Sequence, residues 1–336
     1  MGASIQDIAN KANVSTATVS RVLNKKDDPH ISLATRQRVL QIAKELNYQP
    51  NRIARALATG KTHTIGVWAS FIHPSHYSRV LMRTKEMLNE SGYDALFINT
   101  NRRPDLGDYA ASSLFYWPVD GVLAFECRGF FEHMIKSGTL LVPAVSMGVS
   151  TEGSVDSVDI RICDCALEAV RHLVSLGCKR IVYAVPGQSD NAGDPRHDAY
   201  HTVLDEAGLV AEKMLTKIHG GGIERGHAYE MVKEYVQSHG CPDAIFCYND
   251  EIALGCHRGL REIGLRIPED VALVGCDGIE DTLYVDPPIT TICHPIDDMC
   301  RTAWEFLQKR IADPGAPVQR ATFESELLIR ASTARR

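Results

Sequence analysis

Apolar residues in the first 50 positions recur every three or four residues, in three short segments that predict three helices. Ser4, followed three residues later by Asp7, is typical of a helix N-terminal cap, and Ser15 and Ser32 stand at the starts of the next two segments. Asn13 lies where a tight turn needs a residue that tolerates positive φ. We therefore expect a small all-α unit. Its inward-facing positions are Ile5, Ile8, Ala9 and Ala12, then Val19, Val22 and Leu23, then Val39, Ala43 and Leu46.

The second predicted helix has a small, polar and basic outer face. Opposite its apolar positions it carries Thr16, Ala17, Ser20, Arg21 and Asn24. Small side chains in the first turn of a helix allow it to approach the edges of DNA bases closely. The alternative is an ordinary solvated face on a helix that only covers a core.

From residue 65 onward, short apolar runs alternate with helical stretches, which predicts parallel α/β layers. A second set of runs repeats the first, so we expect two similar subdomains. The predicted strands cover residues 65–70, 95–99, 122–125 and 142–146, then 180–185, 215–219, 244–248 and 271–276, with a last strand at 321–329.

Polar and aromatic side chains follow these strands, at the edge where open α/β sheets bind ligands. Aromatic rings stack on the apolar face of a sugar, while Arg, Asn and Asp hydrogen-bond its hydroxyls. Glu126 and Arg128 suit a charged or heavily hydroxylated ligand, or they are solvated groups at the rim. The residues concerned are Phe71, Ile72, His73, Ser75, His76 and Tyr77, then Glu126 and Arg128, then Arg196, Asn249 and Asp277.

Charge separates the two parts of the chain. Residues 1–61 carry a net charge of +6 and the remainder −12, which favours a polyanionic partner for the N-terminal part alone. With 336 residues and 44% hydrophobic content, the chain is expected to form two or three globular units. It has no apolar run of membrane-spanning length and no N-terminal signal core, so a cytoplasmic protein without membrane contact is expected. The ten cysteines fit no disulfide or zinc framework and are interpreted as reduced, packed thiols.

Three other chemistries receive little support. Gly60-Lys61-Thr62 imitates the end of a phosphate-binding loop, but Arg55 stands where that loop needs glycine. The pairs His197 with His201 and His73 with His76 have spacings that suit metal ligands, yet no third ligand can be placed beside either pair. No nucleophile elbow or Ser-His-Asp order is present. We therefore expect no metal, no cofactor and no enzymatic activity.

Three runs in the N-terminal part, residues 5–9 (IQDIA), 14–24 (VSTATVSRVLN) and 46–51 (LNYQPN), resemble the LacI/GalR repressor family. In the remainder, residues 249–255 (NDEIALG), 274–277 (VGCD) and 288–292 (PITTI) resemble the periplasmic-binding-protein-like effector domain of the same family, and the likeness extends over residues 63–331. The resemblance implies a multidomain protein, with an all-α helix-turn-helix head and an α/β effector domain of two Rossmann-like subdomains.

The resemblance also implies positions for the DNA contacts. Thr16, Ala17 and Arg21 fall where the family contacts bases in the major groove. Residues 50–61 take the place of a hinge helix, in which Leu57 wedges between the central base pairs; the alternative is that Leu57 packs on the body. Contacts to the DNA backbone fall on Ser15, Thr18, Ser20 and Asn24, hinge contacts fall on Asn51, Arg52, Ala54 and Arg55, and Ser4 is counted as a further DNA-binding residue.

For the effector, the resemblance carries Arg196, Asn249 and Asp277 to ligand contacts, and we add Phe71, His76, Tyr77 and Glu126 from their positions after the first strands. Asp250 is interpreted as a helix N-cap. The chain departs from the family at two places. Cys276 stands where an aromatic residue is usual, and Arg196 is followed by His-Asp-Ala-Tyr200 without the usual glycine and phenylalanine.

Together these features predict a transcriptional repressor that binds a palindromic operator in double-stranded DNA as a homodimer, under allosteric control by a sugar or sugar derivative. It would lie in the bacterial cytoplasm, and on the nucleoid when bound to its operator. Three alternatives stay open: a transport or chemoreceptor binding protein, a sugar-processing enzyme, and a repressor that answers to a protein partner. The expected domains are residues 1–49 (head), 50–61 (hinge), 62–162 with 293–321 (first subdomain) and 163–292 with 322–331 (second subdomain).

Overall fold

The computed structural model describes residues 3–24, 29–49, 56, 60–70, 75–100, 118–127, 134, 137–138, 140–149, 155–187, 189–216 and 224–334. Contacts divide the chain into two compact units, Met1–Thr62 and His63–Arg336. We call them the head and the body.

The head consists of helices α1 (Ile5–Ala12), α2 (Thr16–Asn24) and α3 (Leu33–Glu45). Ser4 and Asp7 form a reciprocal capping box at the start of α1, and Asn13 ends α1 with φ 51°. The hydroxyls of Ser15 and Ser32 accept hydrogen bonds from the backbone N–H groups of Thr18 and Thr35. The three predicted helices, their caps and the turn at Asn13 are therefore confirmed.

The core of the head is small and entirely apolar. Its buried members come from all three helices, as the spacing of apolar positions predicts, and they are Ile8, Ala9, Ala12, Val19, Val22, Val39, Ile42 and Ala43. Ile5, Leu23 and Leu46 pack against this core while partly exposed. Such a cluster removes from water the apolar stripe of each helix, which none of the helices could bury alone.

The body contains two six-stranded sheets. The first has the strand order β11-β5-β4-β3-β1-β2, and all of its described pairings are parallel. Its elements are β1 (Thr64–Ala69), α4 (Ser75–Glu90), β2 (Asp94–Asn99), β3 (Gly121–Phe125), β4 (Ala144–Val149), β5 (Asp156–Arg161) and β11 (Arg320–Glu324).

The second sheet has the order β12-β10-β9-β8-β6-β7, parallel except that β12 pairs antiparallel with β10. This repeat of the first sheet's topology confirms two similar α/β subdomains. Its elements are α5 (Cys163–Ser175), β6 (Ile181–Pro186), α6 (Pro195–Ala207), β7 (Glu212–Thr216), α7 (Glu224–His239), β8 (Ala244–Cys247), α8 (Asp250–Glu262), β9 (Ala272–Asp277), β10 (Thr290–Cys293) and β12 (Glu326–Leu328). Helix α9 (Ile296–Ala312) packs against α4 and strands β3, β4 and β5 of the first sheet.

Some predicted boundaries were wrong. The single strand predicted at 321–329 is two strands, because Ser325 ends β11 in the first sheet and β12 then enters the second. The crossing between subdomains therefore lies at residue 325 and not between 321 and 322. The strand predicted at 215–219 lies at Glu212–Thr216, since the apolar signal at its start is weak, and the one predicted at 142–146 is β4, at Ala144–Val149.

The chain crosses between the sheets near Ile162, at His294 and Pro295, and at Ser325. Hydrogen bonds connect these crossover segments. The Cys165 thiol donates to the carbonyl oxygen of Ser325 at 2.8 Å, and Nδ1 of His294 lies 2.8 Å from the Ser325 hydroxyl. None of the described helices is both long and apolar enough to span a bilayer.

Candidate functional site

In the head, the candidate DNA-contacting side chains lie on the surface. Thr16, Ala17 and Arg21 are exposed, and Thr18 and Ser20 are partly exposed, because Val19 and Val22 turn the opposite side of α2 into the core. This face of α2 is therefore accessible to a large partner such as the groove of a DNA duplex. The side chain of Asn24 lies outside the described residues, as do Asn51, Arg52, Ala54, Arg55 and Leu57 of the expected hinge.

The first turn of α2 is held by its cap. The Ser15 hydroxyl accepts from Thr18 N–H at 3.1 Å and lies 2.9 Å from the Thr18 hydroxyl, so both side chains take part in capping. Ser4 performs the same task in α1. Unpaired N–H groups and the positive end of the helix dipole together favour a phosphate at such a helix start.

In the body, two acidic residues with left-handed backbone mark the carboxyl ends of facing sheets. Glu126 follows β3 with φ 49°, and Asp277 ends β9 with φ 119°. Side chains other than glycine adopt such angles at a cost of about 1–3 kcal/mol, and this strain is concentrated at functional sites. Both residues were predicted from the sequence as effector contacts.

The first subdomain fixes Glu126 from several sides. The Tyr77 hydroxyl donates to its carboxylate, the Ser70 hydroxyl donates to its carbonyl oxygen, and its N–H donates to Met147 at 2.9 Å. Gly148, with φ 122°, lies beside it, and a Cβ at that position would come within 2.8 Å of the Glu126 Cγ. Gly148 was not predicted as a site residue from the sequence, although it is a glycine at the end of a strand.

His76 is buried next to this group. Its ring lies 5.5 Å from that of Phe125 and 5.4 Å from that of His294, which belongs to the crossover between β10 and α9. Burial lowers the pKa of His76, so the ring is neutral at neutral pH. Its Nδ1 atom has no hydrogen-bond partner among the described residues.

The second subdomain contributes Arg196, which neighbouring groups already orient. The Asp194 carboxylate accepts two hydrogen bonds from the guanidinium, at 2.8 and 3.0 Å, and the Tyr248 carbonyl oxygen accepts a third. The guanidinium also stacks 3.7 Å from the centre of the Tyr248 ring. Since a guanidinium has five N–H donors, two remain for a ligand after the bonds described. Asp194 and Tyr248 were not predicted as site residues.

The N-cap role expected for Asp250 is corrected by the structure, because Asn249 fills it. Asn249 is the N-cap of α8, and its side chain accepts from Ile252 N–H at 2.9 Å. Asp250, interpreted as that cap, is instead fully buried, and its carboxylate accepts from Thr291 Oγ1 at 2.7 Å and from Ile279 N–H at 2.9 Å. It therefore connects α8 to the loop after β9. Burial, together with the charge of Asp277, raises the pKa of Asp250 to about 8.

Asp277 lies at the centre of the polar cluster. It is 8% exposed, and no described residue donates a hydrogen bond to its carboxylate. Nε2 of His294 is 3.7 Å from its Oδ1 atom, and the Cys276 sulfur is 4.0 Å from the same nitrogen. Burial raises the pKa of Asp277 to about 6, despite the opposing charge of Arg196. His294 was not predicted from the sequence, because it lies in a crossover segment, where no regular spacing of residues continues from the preceding strand.

Polar contacts connect the two subdomains directly. Ser75 N–H, at the start of α4, donates to Glu251 of α8 at 3.0 Å, and Arg225 of α7 contacts both the Ser75 hydroxyl and the Glu251 carboxylate. Arg79 donates to the Gly278 carbonyl oxygen at 3.1 Å. The subdomains therefore meet around the cluster in this structure.

Most of the effector residues predicted from the sequence come together here: His76, Tyr77, Glu126, Arg196, Asn249 and Asp277 all lie at this edge of the sheets or at the helix starts beside it. Phe71, Ile72, His73 and Arg128 lie outside the described residues. His197 and His201 stand 4.5 Å apart, ring to ring, but the described residues that could together hold a metal are Cys276, Asp277 and His294.

Comparison with family models gives two matches. Residues 4–51 match the model described as bacterial regulatory proteins, lacI family, and residues 170–333 match the model of a periplasmic binding protein-like domain. The first match covers α1 to α3, and the second covers most of the second subdomain together with α9.

Relatives of known name cover almost the whole chain. The HTH-type transcriptional repressor PurR of Haemophilus influenzae is 30% identical over 335 residues, 98% of each chain, and that of Mannheimia succiniciproducens is 31% identical over 336 residues, also 98% of each. Among solved structures, the lac repressor dimer bound to operator and an anti-inducer has a TM-score of 0.83 at 25% identity, over 100% of both chains. A complex of the regulator CelR with cellobiose has a TM-score of 0.66 at 26% identity, over 98% of this chain and 99% of the other.

Proposed function

The chain belongs to the lacI family of bacterial regulatory proteins, and from that premise we propose that it is a repressor that binds a palindromic operator as a homodimer, released or retained by a small ligand in the cleft of the body. The observation that carries the proposal is that one chain has both an exposed, capped helix α2 in the head and a buried polar cluster between the two sheets of the body. DNA binding and a PBP-like ligand domain are family properties. The dimer, the palindrome and the ligand class belong to the proposal.

On the DNA side, α2 enters the major groove with its first turn toward the bases. Thr16, Ala17 and Arg21 contact base edges, and Arg21 is suited to the two acceptors of guanine. Ser4, Ser15, Thr18, Ser20 and Asn24 contact the DNA backbone. A dimer places two such helices on half-sites one helical turn apart or a multiple of it, which is why the operator is expected to be palindromic.

The hinge residues complete the DNA contact in this proposal. Two copies of Leu57 insert into the minor groove at the operator centre, flanked by Arg52 and Arg55 on the phosphates and by Asn51 and Ala54. Such insertion costs a few kcal/mol of base unstacking and is offset by the wider contact of bent DNA. Leu57→Ala is expected to reduce both operator affinity and DNA bending, and unchanged bending in that variant would contradict the hinge role.

On the ligand side, the cleft suits a hydroxylated molecule such as a sugar or a sugar derivative. Glu126 and Asp277 can accept hydrogen bonds from hydroxyls, and the two remaining N–H donors of Arg196 can donate hydrogen bonds to them. Tyr77 and His76 offer ring surface. Phe71 and Asn249 are proposed as further contacts. Sugars are the bound molecules named for two structural relatives, cellobiose in CelR and ribose in a regulator from Enterococcus faecium.

The ligand would act by biasing two arrangements of the subdomains. Because the crossover segments are bonded to one another through Ser325, a ligand that contacts Asp277 also acts on His294 beside it. To regulate DNA binding, the ligand must bind one arrangement more tightly than the other. The difference between these two binding free energies is the free energy by which the ligand strengthens or weakens operator binding.

The test is selection of DNA sites by the purified protein from genomic fragments, followed by titration of the recovered site with a panel of sugars, sugar acids and nucleosides. A palindrome whose affinity changes with one compound is the expected result. Lack of sequence preference at moderate salt would reduce the head to a nonspecific polyanion binder and overturn the proposal. Arg21→Ala serves as the control that selection depends on α2.

A further inference from the structure

We propose that the cleft of the body holds a divalent transition-metal site that prefers Zn²⁺, formed by the Cys276 thiolate, a carboxylate oxygen of Asp277 and Nε2 of His294. The three ligating atoms lie within 4.8 Å of one another, and all three residues are buried. Sulfur, imidazole nitrogen and carboxylate oxygen are the donors that zinc uses in proteins, and three protein ligands with an open fourth position is the pattern of accessible zinc sites.

The distances fit a site that needs little movement to close. In tetrahedral coordination at ordinary zinc bond lengths, neighbouring ligand atoms stand about 3.3–3.6 Å apart. Nε2 of His294 lies 3.7 Å from Asp277 Oδ1 and 4.0 Å from the Cys276 sulfur. Adjustments of a few tenths of an ångström would therefore bring Nε2 to the separations that a shared ion requires, and the remaining pair, the Cys276 sulfur and the Asp277 oxygen, lies within 4.8 Å.

The histidine is oriented for ligation by a second group. Its Nδ1 lies 2.8 Å from the Ser325 hydroxyl, so with Nδ1 protonated the lone pair of Nε2 is directed toward Cys276 and Asp277. A hydrogen bond to the distal nitrogen of a metal-binding histidine is the usual support of such ligands.

The carboxylate of Asp277 gives an independent reason to expect a ligand. The Asp277 side chain is 11% exposed, its backbone has φ 119°, and Nε2 of His294 stands 3.7 Å from Oδ1, beyond hydrogen-bond distance. An unsatisfied buried carboxylate is expensive and calls for an ion or a ligand. The ring of His76 lies 5.4 Å from that of His294, and its Nδ1 has no hydrogen-bond partner among the described residues.

The site would take part in regulation through the crossover. Cys276 and Asp277 end β9. His294 belongs to the second crossover segment and is hydrogen-bonded to Ser325 of the third. A bound ion would therefore connect the edge of the sheets where the ligand is proposed to bind to the crossover segments between the subdomains. This regulatory consequence rests on the proposed function, but the metal site does not.

The experiment uses Co²⁺ as a spectroscopic probe on the purified full-length chain, stripped beforehand with a chelator. We expect one equivalent of Co²⁺ to give a thiolate-to-cobalt charge-transfer band, which Zn²⁺ then removes by displacement. Cys276→Ser should abolish the band and weaken Zn²⁺ at least tenfold. Cys293→Ser, which changes a cysteine on the neighbouring strand β10, should leave it unchanged. Absence of the band in the unaltered protein, or its survival in Cys276→Ser, would overturn the site.

Two further variants guard against misfolding as an explanation. His294→Gln should also remove the site, and Ser325→Ala should weaken Zn²⁺ about 10–100-fold while leaving the thiolate band, because it removes only the support of His294. Circular dichroism and Tm verify that each variant is folded. Operator affinity is then measured with and without Zn²⁺. If Co²⁺ binds but Zn²⁺ does not shift operator affinity, the regulatory consequence is overturned and the site stands; failure to bind any operator would instead contradict the proposed function.

Discussion

The head and the body both place polar side chains where a ligand is expected, but they use those side chains in opposite ways. On α2, Thr16, Ala17 and Arg21 are exposed, and the head is held together by an apolar core on the other side of the helices. In the body, Asp250, Arg196 and their neighbours are buried and also hold loops and helices in place. Ligand contact and stability are therefore separable in the head and joined in the body.

The physical reason lies in the size of the ligand. A small domain cannot enclose a DNA duplex, so the contacts form on an exposed surface, where substitutions change stability by about 0.5 kcal/mol or less. A small molecule must be enclosed, so its contacts lie in a cleft where each polar group needs a partner whether or not the ligand is present. Arg196 illustrates this, since its guanidinium is bonded to Asp194 and stacks on Tyr248.

The largest effect is expected from Asp250→Ala. Removing this buried carboxylate leaves the Ile279 N–H and the Thr291 hydroxyl without their acceptor, which should lower the free energy of unfolding by about 2–4 kcal/mol. Urea denaturation measures it. Asp205→Ala, at an exposed position of α6, is the control and should change stability little. Equal stability of the two variants would contradict the structural role of the cluster.

The counterpart in the head is Arg21→Ala. We expect operator affinity to fall about 10–100-fold, the value of a guanidinium that contacts a base, with no measurable change in Tm. Fluorescence anisotropy on the selected operator measures the affinity. Arg301→Ala removes the same charge from an exposed position of α9 in the body and should leave the affinity unchanged. A drop in Tm for Arg21→Ala would break the separation between contact and stability.

A smaller effect in both properties at once is expected from Tyr77→Phe. The variant keeps the ring next to Phe125 but removes the hydroxyl that donates to Glu126. We expect a loss of about 1 kcal/mol in stability, together with a weaker response of operator binding to the effector. Thermal unfolding of one preparation measures the change in stability, and effector titration of the same preparation measures the change in response. A change in effector response without any change in stability would show that the body separates the two roles after all.

The smallest effect compares two carboxylates that each face a cation. A hydrogen bond from Arg180 lowers the pKa of Glu212 in the body to about 2, and Lys11 lowers that of exposed Glu45 in the head. Because a lowered pKa stabilises the fold above the unfolded value of about 4.3, Glu212→Gln should lower Tm at pH 7 by about 2–4 °C. That difference should shrink as the pH falls from about 4.3 toward 2. Glu45→Gln should have no resolvable effect, since exposed pairs contribute little.

The sequence predicted the local structure of the head almost completely. Spacing of apolar residues, serine caps and the tolerance of Asn13 for positive φ are properties of neighbouring residues, and each predicted helix appears with its cap. The end of the body was harder to predict, since nothing local distinguishes one nine-residue strand from two short strands with Ser325 between them. The sheet to which each belongs depends on partners more than 30 residues away.

The proposed ligand cleft likewise has features that the sequence predicts and features that it does not. That polar residues follow the strands, and that Glu126, Arg196 and Asp277 are among them, could be read from the chain, because parallel strands end at a common edge. The tertiary structure decided which groups are partners: it made Asn249 and not Asp250 the N-cap of α8, oriented Arg196 on Asp194 and Tyr248, and brought His294 to Cys276 and Asp277. Local periodicity records which side of an element is buried, but a hydrogen bond between crossovers depends on the packing of the whole domain.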